Sequence, residues 1–321
     1  MNETTAAKPT LTAADDGFHP PGDDRLATET AWFSFFVPER GLGGWLYTRA
    51  MPNLGLCQGG AWVWDRSGHL PWEVPYYAYL TCAELDPDSD LRDFSGGHGV
   101  RIRAVEPLRS YEVGYQGRGG RLVADLRFEA LHAPHVVAHG EPPFTAAHHF
   151  DQLGRVTGEV RLNGEMLEVD CVAMRDRSWG PRSERKTLRM GYAWAGDHET
   201  GFLAYSEDES RDGGTSTVTR GYLWQDGALT RLAGGRRVDT RDEHGLLQTI
   251  ELVMVDASGR ETTARGTVVS RLALPHAVRT TWTSLVEWDT GSGRGPVWGE
   301  DQDVWMHDAW RARFPGPSYG T

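Results

Sequence analysis

Apolar and polar residues alternate with a period of two through most of this chain. Across residues 121–131, Leu122, Ala124, Leu126 and Phe128 form one apolar register, with Asp125 and Arg127 on the other, the pattern of a half-buried strand. Residues 32–37 are aromatic and stop at Pro38 and a Gly-rich turn. Residues 45–50 and 59–65 resume the pattern, and 100–105 and 110–116 repeat it. Residues 71–79 carry two prolines, which suits an edge strand or a cavity-lining loop. Asn163-Gly164 and Asp226-Gly227, each between alternating segments, are hairpin turns. A 3.6-residue apolar stripe occurs only at 303–313, where the spacing predicts a helix. About fifteen short strands separated by turn signals predict an all-β protein built of sandwiches or barrels. The Pro- and His-bearing stretch 134–143 interrupts the alternation and marks a domain junction, dividing the chain into two β-rich halves. Residues 1–27, polar and without periodicity, read as a disordered tail.

Composition narrows the partners. A formal charge of -12 and a pI near 5.5 leave no basic stripe for nucleic acid and no attraction to anionic membranes. No apolar run of about 18 residues is present, and the polar N-terminus has no apolar core of a secretory signal. Cys57, Cys82 and Cys171 share no metal-ligand spacing and cannot all pair, so a reduced, cytoplasmic setting is expected. Thirteen tryptophans with 39 glycines point to tight turns around large flat side chains, a composition suited to lining an apolar cavity.

No P-loop, dinucleotide fingerprint, HExxH or Gly-x-Ser-x-Gly occurs. His132, His135, His139, His148 and His149 cluster, but in a Pro-rich stretch without an evident completing ligand set, and no metal is expected there. Met174 to Arg182 packs Asp176, three arginines and Trp179 into one strand end. Charge this dense beside an indole suits either a site or a surface ion pair. In Tyr205-Ser206-Glu207, alternation puts the phenol and the carboxylate on one strand face, a proton-relay pair or an acidic strand end. Glu300-Asp301-Gln302-Asp303 is a third acidic set. Trp62 and Trp64 share one strand face, as do Trp282 and Trp288. With Trp194 these indoles are either core or the lining of a pocket in which ring faces stabilise a cation.

The aromatic first strand, His149-Phe150-Asp151-Gln152 and above all Asp176-Arg177-Ser178-Trp179-Gly180-Pro181-Arg182 resemble the carotenoid 1,2-hydratase (hydroxyneurosporene synthase)-like group, which includes kievitone hydratase. The resemblance runs from about Thr28 to Trp305, and its specific part is the Asp-x-x-Trp-Gly segment. It implies two packed lipocalin-like β-barrel domains, no metal or redox cofactor, and a small apolar or aromatic substrate near their interface. The implied activity is addition of water to an alkene, and fold relatives catalyse pericyclic cyclisations. Asp176 and Trp179 match the motif, and Tyr205 and Glu207 match a downstream Tyr-x-acid pair, with Glu in place of Asp. The carotenoid enzymes tend to carry His two residues before the Trp; here Arg177 stands there, able to hold an anion or orient a carbonyl but not to exchange protons.

The expected architecture is therefore two lipocalin-like domains, near 28–145 and 146–315. The expected function is a cofactor-independent hydratase, lyase or isomerase acting on the C=C bond of a terpenoid or phenolic substrate. Its site comprises Asp176, Trp179, Tyr205 and Glu207, with Arg177, Trp62, Trp64, Trp194 and Trp282 binding substrate. Glu207 is expected to be the neutral acid, and Asp176 an ionised group reaching a neighbouring arginine, with both Asp176 and Trp179 facing the second domain's cavity. A pericyclase or cyclase, and a non-catalytic lipophile-binding protein, are the alternatives.

Overall fold

The computed structural model describes residues 11–137, 148–181, 187–208, 214–225 and 227–314. Strand far exceeds helix. The strands are β1 (Thr28–Val37), β2 (Leu42–Met51), β3 (Leu56–Trp64), β4 (Tyr76–Glu84), β5 (Asp93–Ser95), β6 (Val100–Glu106), β7 (Ser110–Gln116), β8 (Leu122–Ala130), β9 (His135–Val137), β10 (His148–Leu162) and β11 (Glu165–Gly180). There follow β12 (Arg189–Gly196), β13 (Thr200–Asp208), β14 (Thr215–Gln225), β15 (Ala228–Arg241), β16 (Leu247–Asp256), β17 (Glu261–Pro275), β18 (Arg279–Asp289), β19 (Val297–Met306) and the helix α1 (His307–Arg313). The helical stripe expected from residue 303 begins at His307, because the strand pairing of β19 continues to Met306.

Turn chemistry sets the meander. Pro38 and Pro52 each open a single 3-10 turn, and Gly41 (φ 58) and Gly55 (φ 62) close it in the left-handed region. Asn163 (φ 50) and Gly164 (φ 92) both take the positive φ of a two-residue hairpin turn, joining the long strands β10 and β11.

The first sheet has eleven strands, in the order β4-β3-β2-β1-β11-β10-β8-β7-β6-β5 with β9 on β10. Strands β12 to β19 form a closed barrel. The architecture is all-β and two-domain, of the lipocalin-like kind: a curled half-barrel sheet beside a closed eight-stranded barrel. The division of the chain differs from a junction at 145. β10 and β11 pair with β8 and β1 of the first sheet, and the closed barrel begins at Arg189.

Both faces of β1 are buried. On one, Phe33 meets Tyr111 and Phe128 at 5.6 and 5.7 Å between ring centroids, in the concave core of the sheet. On the other, Trp32 and Phe36 pack on Trp194 of the barrel wall at 6.5 and 5.4 Å, forming the seam between the two bodies. Alternation cannot show that second burial, since a strand covered on both faces reads as a continuous apolar run.

Residues 11–27 are not a free tail. Thr12 caps a short 3-10 turn, and Asp16, 3% exposed, accepts hydrogen bonds from the Leu108 N–H, the Tyr111 hydroxyl and Arg175. This segment closes the concave side of the first sheet and satisfies a buried guanidinium there.

Candidate functional site

Strand parity decides which motif residues meet. Side chains three apart on a continuous strand point to opposite faces. β11 stays in register through Trp179, so Asp176 and Trp179 are on opposite sides of the sheet. Trp179 lies on the concave side, stacked between His19 (4.2 Å) and His148 (5.3 Å). Arg175 and Arg177 share that side. Arg175 lies 4.1 Å from the Tyr111 ring centroid and pairs with Asp16, while Arg177 pairs with Glu29 and donates to the Thr30 and Gly17 carbonyls. Arg177 is thus a buried strut that ties β11 to the N-terminal segment. Asp176 turns away from both flanking arginines; Arg182 lies outside the described residues.

Asp176 faces the seam, and so does Asp151, its partner across the β10–β11 hairpin. His149, two residues before Asp151, shares that face. One nitrogen of His149 and one oxygen of each carboxylate lie within 4.8 Å of one another. The barrel contributes two phenols from neighbouring positions on β12 and β13. Tyr192 donates to Asp151 Oδ1 at 2.7 Å, and Tyr205 donates to Asp151 Oδ2 at 3.1 Å. His149 Nε2 lies 2.9 Å from Asp151 Oδ1 and 3.0 Å from the Tyr205 oxygen. Each of these two phenols therefore reaches across the seam to the same carboxylate.

The electrostatics follow from that bonding. Burial works against the charge on Asp151, but His149, Tyr192 and His135 outweigh it and hold the carboxyl below the usual range. Burial, reinforced by the Asp151 charge, pushes Tyr192 and Tyr205 well above an ordinary phenol, so both keep their protons. Glu207 shares the outward barrel face with Tyr205, as alternation predicts. It accepts a 2.8 Å hydrogen bond from Arg220, whose guanidinium lies 5.0 Å from the Tyr205 ring centroid. Its partner is thus a guanidinium rather than the apolar setting expected around Glu207. A buried carboxyl with a raised pKa lies elsewhere on the seam. Glu300, raised to about 8 by burial, accepts from Thr283 and, across the interface, from the Trp45 indole at 2.7 Å.

Of the expected lining indoles, Trp62 and Trp64 surround Trp45 at 5.3 and 6.3 Å, and Trp194 packs on Phe36, all at the seam. Trp282 is elsewhere, stacked on Trp310 of α1 at 5.7 Å. Sequence reading gave no role to His149, Asp151 or Tyr192. A signal existed: counting outward from the Asn163-Gly164 turn, Asp151 falls opposite Asp176, and His149 shares its parity. Tyr192 had none, since only the docking of barrel on sheet brings it near. One imidazole and two carboxylates are also a donor set that a divalent cation accepts. Of the remaining clustered histidines, His139 lies outside the described residues. His132 is held down to about 4 by burial.

A half-barrel sheet and a closed barrel meeting at an aromatic seam with converging acids and phenols define a two-domain lipocalin-like protein with a candidate active site between its domains. The chain belongs to the family described as "Domain of unknown function (DUF7064)", whose model matches residues 12–303. It is similar in fold to kievitone hydratase from Nectria haematococca, at 13% identity over 95% of each chain with a TM-score of 0.57. A putative AttH from Nitrosomonas europaea matches at 13% identity over 95% of this chain and 99% of its own, TM-score 0.61. CghA, solved with Sch210972, matches at 13% identity over 88% and 89%, TM-score 0.54. The likeness is one of fold, and it agrees with the hydratase-like resemblance of the motif. No curated protein matches this chain by sequence.

Proposed function

We propose that this protein is a cofactor-independent hydratase, or a related lyase or isomerase, acting on an alkene of an apolar terpenoid or phenolic molecule at the seam. The observation that carries this reading is the facing pair Asp151 and Asp176, joined to His149 and to two protonated phenols in an aromatic setting. Two carboxyls this close do not both ionise readily, so the pair holds a transferable proton. Asp176, the member that faces Trp32 across β1–β11, delivers it, and Asp151 accepts the two phenol hydrogen bonds.

Asp176 transfers its proton to one alkene carbon, and the neighbouring carbon becomes a cation. Trp32, paired with Asp176 across β1–β11 on the same face, presents a ring to that charge. Water bonds to the cation. The proton it releases passes through Tyr205 and His149 to the Asp151–Asp176 pair, so the alkene and one water become one alcohol and the enzyme is restored. Arg220, bound to Glu207 and lying over Tyr205, fixes the relay phenol. A hydratase among the fold relatives supports the same reaction class.

The test is incubation of the full chain with prenylated phenols and terpenoid alkenes in ¹⁸O-labelled water, read by mass spectrometry. Gain of one labelled water is the expected result. A product isomeric with its substrate would favour a cyclase instead, and retention of unchanged ligand would favour a binding protein.

A further inference from the structure

We propose that the seam site takes an amphiphilic acid, an apolar alkene that carries a carboxylate, and that Arg49 holds the carboxylate. This deepens the reading of the seam as a hydratase site and rests on it. Strand register places Arg49 on the same sheet face as the seam acids. It stands beside Thr30 across β1–β2, Thr30 beside Ser178 across β1–β11, and Ser178 beside His149 across β10–β11. The next row of that face runs Gly60, Tyr47, Trp32, Asp176 and Asp151, and the row beyond it holds Trp62 and Trp45.

Acidic residues outnumber basic ones by twelve in this chain, 45 against 33, yet the half-buried Arg49 side chain has no ion pair or hydrogen bond among the described residues. Its Nε is sealed from solvent without an acceptor. The groups in its own row are engaged with one another. The Thr30 and Ser178 hydroxyls bond at 2.6 Å, and Gln58, opposite Arg49 on β3, accepts from Tyr79 at 3.2 Å. Two more unmet donors lie on this face. Trp32 and Trp62, 3% and 4% exposed, flank Tyr47, and neither indole N–H has an acceptor among the described residues. Buried donors are rarely left unmet. A ligand with oxygen acceptors supplies what this face lacks, and the planar guanidinium fork matches a carboxylate in particular.

The surroundings suit an amphiphile. Tyr47 stacks on Tyr79 at 6.5 Å and Tyr77 on Trp62 at 5.9 Å, and these three phenols are half-buried. A head group at Arg49 therefore keeps part of its water while the body lies on rings. Arg49 stands two strands and two residues from Asp176, roughly 12 Å between backbone positions at ordinary strand spacing. A molecule held there by its carboxylate lays its apolar body over Tyr47 and Trp32 toward Asp176, and its own charge stays clear of the Asp151–Asp176 pair.

The experiment titrates the full chain with farnesoic acid and with its uncharged methyl ester, following heat and tryptophan fluorescence. The acid should bind saturably and at least about tenfold tighter than the ester. Arg49→Gln should bring the acid down to the ester's affinity and leave the ester unmoved. Arg49→Lys, which keeps the charge without the fork, should fall between the two. No saturable binding of the acid, equal binding of acid and ester by the parent, or an undiminished preference in Arg49→Gln overturns the anchor. Uptake of ¹⁸O-labelled water is read in the same samples. An acid preference that Arg49→Gln removes, without label in the product, overturns the hydratase reading and leaves the anchor standing. Label without an acid preference does the reverse.

Discussion

At Asp176 the parity of one strand outweighs the density of charge around it. Three arginines and an indole surround it in sequence, yet its spatial neighbours are Asp151 and His149, because cross-strand partners share a face and chain neighbours do not. Asp176→Asn and Asp151→Asn should each lower turnover by about a hundredfold or more while leaving the melting temperature within a few degrees. Tyr205→Phe should do likewise, because the ring stays and only the relay hydroxyl goes. Glu207→Gln should cost far less, since it leaves Arg220 a neutral acceptor. Steady-state kinetics on a converted alkene, beside thermal melts, check this. Parent-like turnover by Asp176→Asn would place the acid elsewhere, with Glu300 the next candidate. The same cluster makes metal content decisive. Untagged protein should contain no stoichiometric transition metal by elemental analysis. One equivalent lost on His149→Ala would replace acid catalysis by metal-activated water.

At the scale of elements, the short N-terminal segment does more than its composition suggests. Asp16 and Glu29 neutralise Arg175 and Arg177 in the concave side of the first sheet. Deleting residues 1–24, or making Asp16→Asn, leaves Arg175 without its buried carboxylate, and should destabilise by about 3 kcal/mol or more. Urea denaturation measures it; a midpoint equal to the parent's would restore the view of a free tail. The β10–β11 hairpin was legible in sequence from Asn163-Gly164, and with it the facing of Asp151 and Asp176. The pairing of β11 with β1 was not, because its partner is more than a hundred residues away and its return is set by how the sheet curls.

For the whole molecule, buried titratable groups bracket the stable pH range. His98 and His132, both held near 4 by burial, contribute stability that is complete above 6.5 and lost as pH falls below it. Glu300 works in the other direction. With its pKa raised from 4.5 to about 8, its contribution is complete below 4.5 and lost as pH rises toward 8. Between pH 6.5 and 8 the histidines no longer titrate, so stability should fall with a slope of up to about 1.4 kcal/mol per unit. Glu300→Gln keeps the acceptor for Trp45 and should flatten that slope. Denaturation midpoints across this range would show it, and identical slopes in the two proteins would remove Glu300 from the account.

The sequence by itself determined the all-β class, the turns, the two-part architecture and the shared face of Tyr205 and Glu207, because turn geometry and period-two alternation are local. It also contained the Asp151–Asp176 pairing, since a two-residue hairpin fixes the register by counting. Only the tertiary structure decided that β10 and β11 complete the first sheet, that residues 11–27 are built in, and that Arg177 and Trp179 face away from the seam chemistry. It alone brought Tyr192 and Tyr205 to Asp151 and buried Glu300 against Trp45. Those outcomes depend on which strands meet across long separations and on how one curved sheet docks on a barrel. Such long-range packing is energetically decisive yet leaves no period in the chain.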